Sequence, residues 1–356
     1  MRSSRATAPS PPPLSREGRG GKGAQREKTP SPSTGEGRGE GEARGAVEGR
    51  CAAAPCPDPS PPPLSRKRRG ESLAGAQRAP LPDGRWHFQH GPIDLIIGAD
   101  GDPRSVSQAL EAAWRRFETV LEELVGELPL LRSPVEEAQC VRGSAARRML
   151  AACWPHRSRF ITPMAAVAGA VADELIECFG AQPGVRRAYV NNGGDIALHL
   201  APGESFQVGL FADLGRIGRH MPLALDGRFE VTAGLPVRGV ATSGWRGRSF
   251  SLGIADSVTV LARNAAQADA AATMIANAVT VDDDAIVRRP ANSLKDDTDL
   301  GDRPVTVEVG TLSPGRVACA LEAGAGHARG LLEHGMIWAA WLWLQGQVRS
   351  VGGSGT

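Results

Sequence analysis

The chain has 356 residues, a formal net charge of +2 and 41% hydrophobic residues, enough for one large domain or two. The charge is uneven: residues 1–80 hold 15 Lys and Arg against 8 Asp and Glu, a net of +7, which leaves −5 on residues 81–356. The body of the chain thus lacks the basic balance of a nucleic-acid binder, its most apolar run, 336–344, is too short to cross a bilayer, and its six cysteines include no Cys-x-x-Cys pair that would mark a finger or redox motif.

Residues 1–80 are dominated by Pro, Gly, Ser, Arg and Glu. Such a stretch buries too little apolar surface to offset its ordering entropy, so a disordered low-complexity tail is expected. It repeats itself: Pro9-Ser10-Pro11-Pro12-Pro13-Leu14-Ser15-Arg16 recurs at Pro59 to Arg66. Translated repetitive DNA ahead of a true start codon is one reading, and a genuine disordered arm is the other. The basic run Arg66-Lys67-Arg68-Arg69 belongs to this tail and reads as solvated. No apolar leader precedes it, so a cytoplasmic chain with reduced thiols is expected. Residues 81–356 are then one compact domain.

Folded sequence is expected from Leu81. Residues 86–90 and 93–97 form a first hairpin, in which His87 and His90 are strand or turn residues. A long helix follows with Ser105 as its N-cap; Leu110, Trp114, Phe117, Leu121, Leu124 and Leu128 recur at helical spacing and face the core. A second helix spans 144–153. Thr162-Pro163 then opens an Ala- and Gly-rich helix, by a capping hydroxyl and a proline at the first position. Its bare face admits a sheet, a metal or a flat ligand.

The segment Tyr189-Val190-Asn191-Asn192-Gly193-Gly194-Asp195-Ile196 is the strongest local signal. Apolar flanks around Asn-Gly predict a tight hairpin, because Asn and Gly tolerate positive φ. Asp195 either bonds the turn amides or faces a ligand brought close by the two glycines. Short strands follow at 206–211, 219–225 and 229–232. Next, Arg238-Gly239-Val240-Ala241-Thr242-Ser243-Gly244 and Arg248 supply hydroxyls, amides and guanidinium groups that suit an anionic oxygen; an exposed turn is the other reading. Asp256 begins a strand. Asn264 caps a helix in which Asp269 and Thr273 share a face. Capping of their own helix does not explain that pair, and a carboxylate with a hydroxyl on an Ala-lined face suits Mg²⁺. The bland alternative puts Asp269 in solvent and bonds Thr273 to its own helix. Residues 282–284 and 295–302 fail the EF-hand spacing and read as solvated loops. Ser313-Pro314 opens a last helix to Glu333, and 336–344 with 347–351 close the chain as a hairpin around Gln345-Gly346.

Three stretches together resemble a known superfamily. Ala188-Tyr189-Val190-Asn191-Asn192-Gly193-Gly194-Asp195, Gly239-Val240-Ala241-Thr242-Ser243-Gly244 and Ala268-Asp269-Ala270-Ala271-Ala272-Thr273 resemble the Gly-Gly-Asp, Thr-Ser-Gly and Ala-Asp motifs of the ApbE-like proteins. The stretches from Thr162 to Asp173, from His90 to Ile97 and from Arg116 to Arg132 are more similar still to a branch of it, uncharacterised protein family (UPF) 0280. The resemblance implies an α+β fold of mostly antiparallel sheets packed with Ala-rich helices. It implies Mg²⁺ held by Asp269, Thr273 and a backbone carbonyl near Val167. A small anionic or nucleotide-like molecule, with FAD or FMN as candidates, would contact Asn192, Gly193, Gly194, Asp195, Thr242, Ser243 and Arg248. Asp195 and Asp256 are the candidate catalytic acids. The superfamily's flavin transferases carry Ala-Lys-Gly where this chain has Val167-Ala168-Gly169, and a His-Ile-x-Asp-Pro-x-Thr-Gly segment that is absent here. A metal-dependent transferase-like enzyme and a non-catalytic binding protein or sulfur-amino-acid assimilation factor are therefore both carried forward, with flavin transfer disfavoured.

Overall fold

The computed structural model describes residues 75–137, 139–210 and 227–353. The greater part of the expected tail, including Arg66 to Arg69, and the strand expected at 219–225 lie outside the described residues. The ordered chain starts earlier than Leu81: β1 (Gln77–Pro80) pairs antiparallel with β2 (Trp86–His90). The polar composition around residue 77 hides this strand, whose four residues are all exposed.

β2 pairs with β3 (Ile93–Gly101), where Ile93, Leu95 and Ile97 alternate inward as a half-buried strand requires. Helix α1 (Pro103–Gly126) is capped by Asp102 and not by Ser105; the Asp102 carboxylate accepts from the Ser105 amide at 2.9 Å, and Pro103 occupies the first turn. α1 buries Ala109, Ala113, Phe117, Val120, Leu121 and Leu124. A short α2 (Leu128–Leu131) and α3 (Ser144–Cys153) follow. Thr162-Pro163 opens a 3₁₀ turn, Pro163–Ala166, before α4 (Val167–Gly180) begins. The Thr162 side chain makes no capping bond; its hydroxyl donates to Asp299 at 2.5 Å. That bond, with the Arg132–Asp297 pair, ties down part of the loop expected to be merely solvated.

β4 (Val185–Asn192), β5 (Asp195–Leu200), β6 (Ser205–Leu210), β7 (Gly227–Thr232), β8 (Gly239–Ser243) and β9 (Ser257–Ala262) precede α5 (Ala265–Ala278). β10 (Ile286–Pro290), β11 (Pro304–Val309), α6 (Pro314–Glu333), β12 (Ala339–Leu344) and β13 (Gln347–Gly352) complete the chain. The expected caps at Asn264 and Ser313 and the closing turn at Gln345-Gly346 are all present. The main sheet has nine strands in the order β1-β2-β3-β4-β5-β8-β9-β12-β13, antiparallel throughout. Pairs β6–β7 and β10–β11 stand apart as two small sheets. The fold is the expected α+β arrangement.

Helices α1, α4, α5 and α6 lie along one face of this sheet, against β3, β4–β5, β8–β9 and β12–β13 in turn. Small residues set how closely they approach. A Cβ on Gly239 would lie 2.0 Å from the Asn264 carbonyl carbon, and one on Gly169 would lie 2.3 Å from the Ala265 carbonyl oxygen. Either substitution would push α5 off β8 or α4. On the opposite face, β6 and β7 pack over Leu198, Val240 and Leu261, with Tyr189 against Phe206 and Phe229 against Trp341. Among the described residues, no helix is long and apolar enough to cross a membrane.

Candidate functional site

The site forms where the main sheet splits. β5 and β8 share only two registered pairs, Ile196↔Val240 and Ala197↔Gly239. Past them the strands diverge, and Asp195 stands on one lip with Thr242 and Ser243 on the other. The Asp195 carboxylate spans the split and accepts from the Thr242 amide at 3.2 Å. It does not bond the turn amides. That role belongs to Asn191, whose Oδ1 accepts from the Gly194 amide at 2.9 Å. The turn is Gly193-Gly194, with φ of 66° and 118°, between the paired Asn192 and Asp195. Arg248 leans over it: its Nη1 lies 2.8 Å from where a Gly193 Cβ would be.

Strand pleating decides which groups face the helices. Ala241 and Val258 pack on the helix side, whereas Val240 and Leu261 pack on the other. Ser243 shares the side of Ala241. Thr242 shares the side of Val240, and its hydroxyl meets the Thr259 hydroxyl at 2.9 Å. Thr242 therefore turns its amide, and not the hydroxyl expected from sequence, toward Asp195.

Asp269 comes to the same place from α5. Its Oδ2 accepts from the Gly169 amide at 3.0 Å, at the start of α4. Capping does explain this residue in part, but the capped helix is the neighbouring one. The arrangement is reciprocal: Asp173 of α4 accepts from the Ala265 and Ala266 amides of α5 at 2.9 and 2.8 Å. Each helix thus places a carboxylate on the positive end of the other. Asn192 reaches the same turn of α4 and donates to the Ala168 carbonyl at 3.1 Å. Val167, one residue earlier, begins α4. Thr273 lies four residues beyond Asp269 on the same face of α5. Asp195, Asn192, Asp269, the Thr242 amide and the first turn of α4 therefore converge. Asp256 does not join them. Its Oδ1 accepts from Trp245 Nε1 at 3.3 Å and its Oδ2 from the Gln345 amide at 2.6 Å, which staples the β8–β9 connection to the closing hairpin.

The two carboxylates strain against each other. Burial pushes Asp195 up to about 7, against the opposing pull of the Thr242 amide and the Arg248 charge. Burial and the Asp195 charge hold Asp269 well above the usual carboxylate range, despite the Gly169 and Ala168 amides. Burial likewise raises Asp173 to about 6. Near this group sits Cys153, whose thiol is pushed up by burial and by the Asp269 charge. It is a neutral, apolar neighbour and not a nucleophile. Sequence reasoning missed Asp173 and Cys153; the one usable signal was an acid set among buried Ala170, Val171, Ala172 and Leu175.

The oxygens here are two carboxylates, a helix hydroxyl and backbone carbonyls. Among the described residues, no group of three or more His, Cys, Asp or Glu could hold a metal ion. Mg²⁺ commonly takes one or two carboxylates and completes its shell with water and phosphate oxygens, a donor set that these oxygens fit. Cavities of about 470 and 650 Å³ lie elsewhere and include none of these acids.

A family model described as AbpE bacteria matches residues 78–350. A UPF0280 protein of Methanosarcina acetivorans is 33% identical over 211 residues, 58% of this chain and 76% of that protein. One from Methanospirillum hungatei is 33% identical over 207 residues, 58% of this chain and 79% of that protein. Among solved structures, the flavin transferase ApbE of Vibrio cholerae matches over 78% of this chain and 96% of its own, at 11% identity and a TM-score of 0.35. The flavinyl transferase ApbE of Pseudomonas stutzeri matches over 79% and 94%, at 11% identity and a TM-score of 0.38.

Proposed function

The chain belongs to the UPF0280 proteins, an ApbE-like family, and from that premise we propose that it binds Mg²⁺ together with an anionic, nucleotide-like ligand in the cleft between Asp195 and Asp269. The observation that carries this reading is the facing of two carboxylates, both raised by burial and one raised further by the other. In the apo protein that pair is relieved by a proton. A divalent cation relieves it better, because it satisfies both charges at once.

The residues divide the work. Asp269, whose Oδ2 stays on the Gly169 amide, would hold the cation together with Thr273 and a carbonyl of the first α4 turn as neutral partners. Asp195 is held in place by the Thr242 amide. The Gly193-Gly194 turn lets a ligand approach the backbone closely, and Arg248 above it supplies positive charge to an anionic group. Bound Mg²⁺ would neutralise charge on a ligand oxygen. Asp256 is a structural staple in this reading, which leaves Asp195 as the candidate base or orienting acceptor. Flavin transfer to a partner protein is not proposed: the transferase lysine is replaced by Ala168. A non-catalytic binding role uses the same cleft, and the engagement of both Asp256 oxygens favours it over chemistry that needs a second acid.

Calorimetric titration with MgCl₂, alone and with AMP or FAD present, tests the proposal. Asp269→Ala is expected to weaken Mg²⁺ binding at least tenfold, and Thr273→Val less, since it removes a neutral ligand. Equal binding in wild type and Asp269→Ala would overturn the metal site.

A further inference from the structure

A second place in the fold is built for an anion, and nothing in the acidic cleft uses it. A cavity of about 470 Å³ lies between the C-terminal end of α5 and the exposed side of α6. That size suits a small-molecule ligand. Its lining comprises Arg159, Asn277, Ala278, Thr280, Ala323, Gly326, His327 and Gly330, with no carboxylate. Asn277 lies eight residues beyond Asp269, about 12 Å along α5 at 1.5 Å per residue.

Hydrogen-bond donors converge here from three elements. Asn277 Oδ1 accepts from the Leu252 amide at 2.9 Å and from the Ser251 hydroxyl at 3.3 Å. With Oδ1 held by that loop, Nδ2 is the donor that the Asn277 side chain has left for the cavity it lines. His327 Nε2 is buried and has no hydrogen-bond partner. Arg159 enters from the segment between α3 and α4, and among the described residues its guanidinium has no carboxylate partner. The α6 wall is bare backbone: a Cβ on Gly330 would meet nothing within 4 Å, and one on Gly326 only the far end of Arg329. Beyond Thr280 the cavity meets a groove of about 650 Å³ that contains Arg288 and Arg303. Arg288 donates to the Thr280 hydroxyl at 2.8 Å, and Arg303 stacks on Phe160. Asp282 is the single acid of that groove.

We infer that this cavity is a binding site for an organic phosphate, seated on Arg159, His327 Nε2 and Asn277 Nδ2, and separate from the acidic cleft. Donors arriving from three sides fit a tetrahedral group with three free oxygens better than a planar carboxylate, which takes two parallel bonds from one fork. The C-terminal end of α5 opposes an anion, since its last carbonyls carry partial negative charge. That charge is small beside a full guanidinium, and the Val279 carbonyl is already taken by the Ile254 amide at 2.8 Å. Burial and the Arg159 charge also hold His327 below its ordinary pKa.

The test is calorimetric titration of the full chain in EDTA with ribose 5-phosphate, inorganic phosphate and citrate. Ribose 5-phosphate is expected to bind at one site, inorganic phosphate more weakly, and citrate not measurably. Arg159→Glu, at an exposed position, is expected to weaken ribose 5-phosphate binding at least tenfold with an unchanged melting temperature, and His327→Gln severalfold. Asp269→Ala is expected to leave it unchanged. No binding of either phosphate, binding of citrate alone, or equal affinity in wild type and Arg159→Glu would each overturn the inference. Loss in Asp269→Ala with retention in Arg159→Glu would move the phosphate to the acidic cleft and overturn it too. Mg²⁺ titration in Arg159→Glu keeps the two sites distinct, because a failure of the metal proposal leaves this result untouched.

Discussion

Replacing Asp195 with Asn should stabilise the metal-free protein, and by an amount that depends on pH. Asn keeps an oxygen for the Thr242 amide and removes the charge that faces Asp269. Folding raises the Asp195 pKa from 3.8 to about 7, roughly three units, or about 4 kcal/mol at 1.36 kcal/mol per unit. The side chain keeps a partial opening to solvent, which relaxes part of that cost; about 2 kcal/mol is the working figure. An acid whose pKa is higher folded than unfolded holds its proton longer in the fold. Wild-type stability from this group is therefore fully present below pH 4, falls as pH rises towards 7 and levels off above. Asp195→Asn escapes that loss. At about 2–4 °C per kcal/mol for a domain of this size, its melting temperature should exceed wild type by about 4–8 °C at pH 8 and by almost nothing at pH 4. Thermal melts of both proteins in EDTA across that range measure the difference. An equal gain at both ends, or a loss at pH 8, would refute the idea that the Asp195 charge costs stability where it is buried. Saturating Mg²⁺ should shrink the gain, because wild type then has its counter-charge.

Three further outcomes are expected. Incubation with FAD, Mg²⁺ and a flavin-acceptor protein should give no fluorescent covalent product, because Ala168 stands in place of the transferase lysine; labelled acceptor would restore the transferase reading. Deleting residues 1–74 should leave the melting temperature within assay error, whereas deletion to residue 80 should lower it by removing the β1 partner of β2. Asp173→Ala should cost about 3–5 kcal/mol in denaturant titration, since it strips acceptors from two buried amides of α5; a cost under about 1 kcal/mol would show that water replaces the carboxylate.

Much of this architecture was legible because its signals are local. The Gly193-Gly194 turn, the Asn264 and Ser313 caps and the alternation of β3 each depend on residues a few positions apart. So does the shared face of Asp269 and Thr273. What escaped depends on partners far along the chain. A cap donated by one helix to another leaves no mark at either end, so Asp269 at the start of α4 and Asp173 at the start of α5 could not be read from spacing. The face on which Thr242 places its hydroxyl follows from the two-pair register of β5 with β8, which no motif encodes. Asp256 lies close to the Thr-Ser-Gly motif and looked available. Its partners come from Trp245 and from Gln345, the second of these 89 residues away.

Asp173 and Asp269 do the same local job in different company, and the contrast supports the assignment of the cleft. Asp173 is buried and Asp269 half-buried, and each caps a neighbouring helix. Asp173 places one oxygen on each of two amides, and burial is the main force that raises it, so its charge is used where it stands. Asp269 is held by the Gly169 amide at Oδ2 and by the Ala168 amide, and is pushed further by Asp195. A cap alone would be served by Asn or Ser without that repulsion. The opposing acid adds nothing to the cap and costs stability at neutral pH, as the linkage above requires. Buried like charges persist where they are neutralised in the working state. In the metal-free protein a shared proton does this, since both acids are held above the usual carboxylate range, Asp195 at about 7. A cation in its place must accept oxygen ligands and fit beside the backbone of Gly193, Gly194 and the first turn of α4. In the proposed function a divalent cation escorted by an anionic ligand takes the place of that proton.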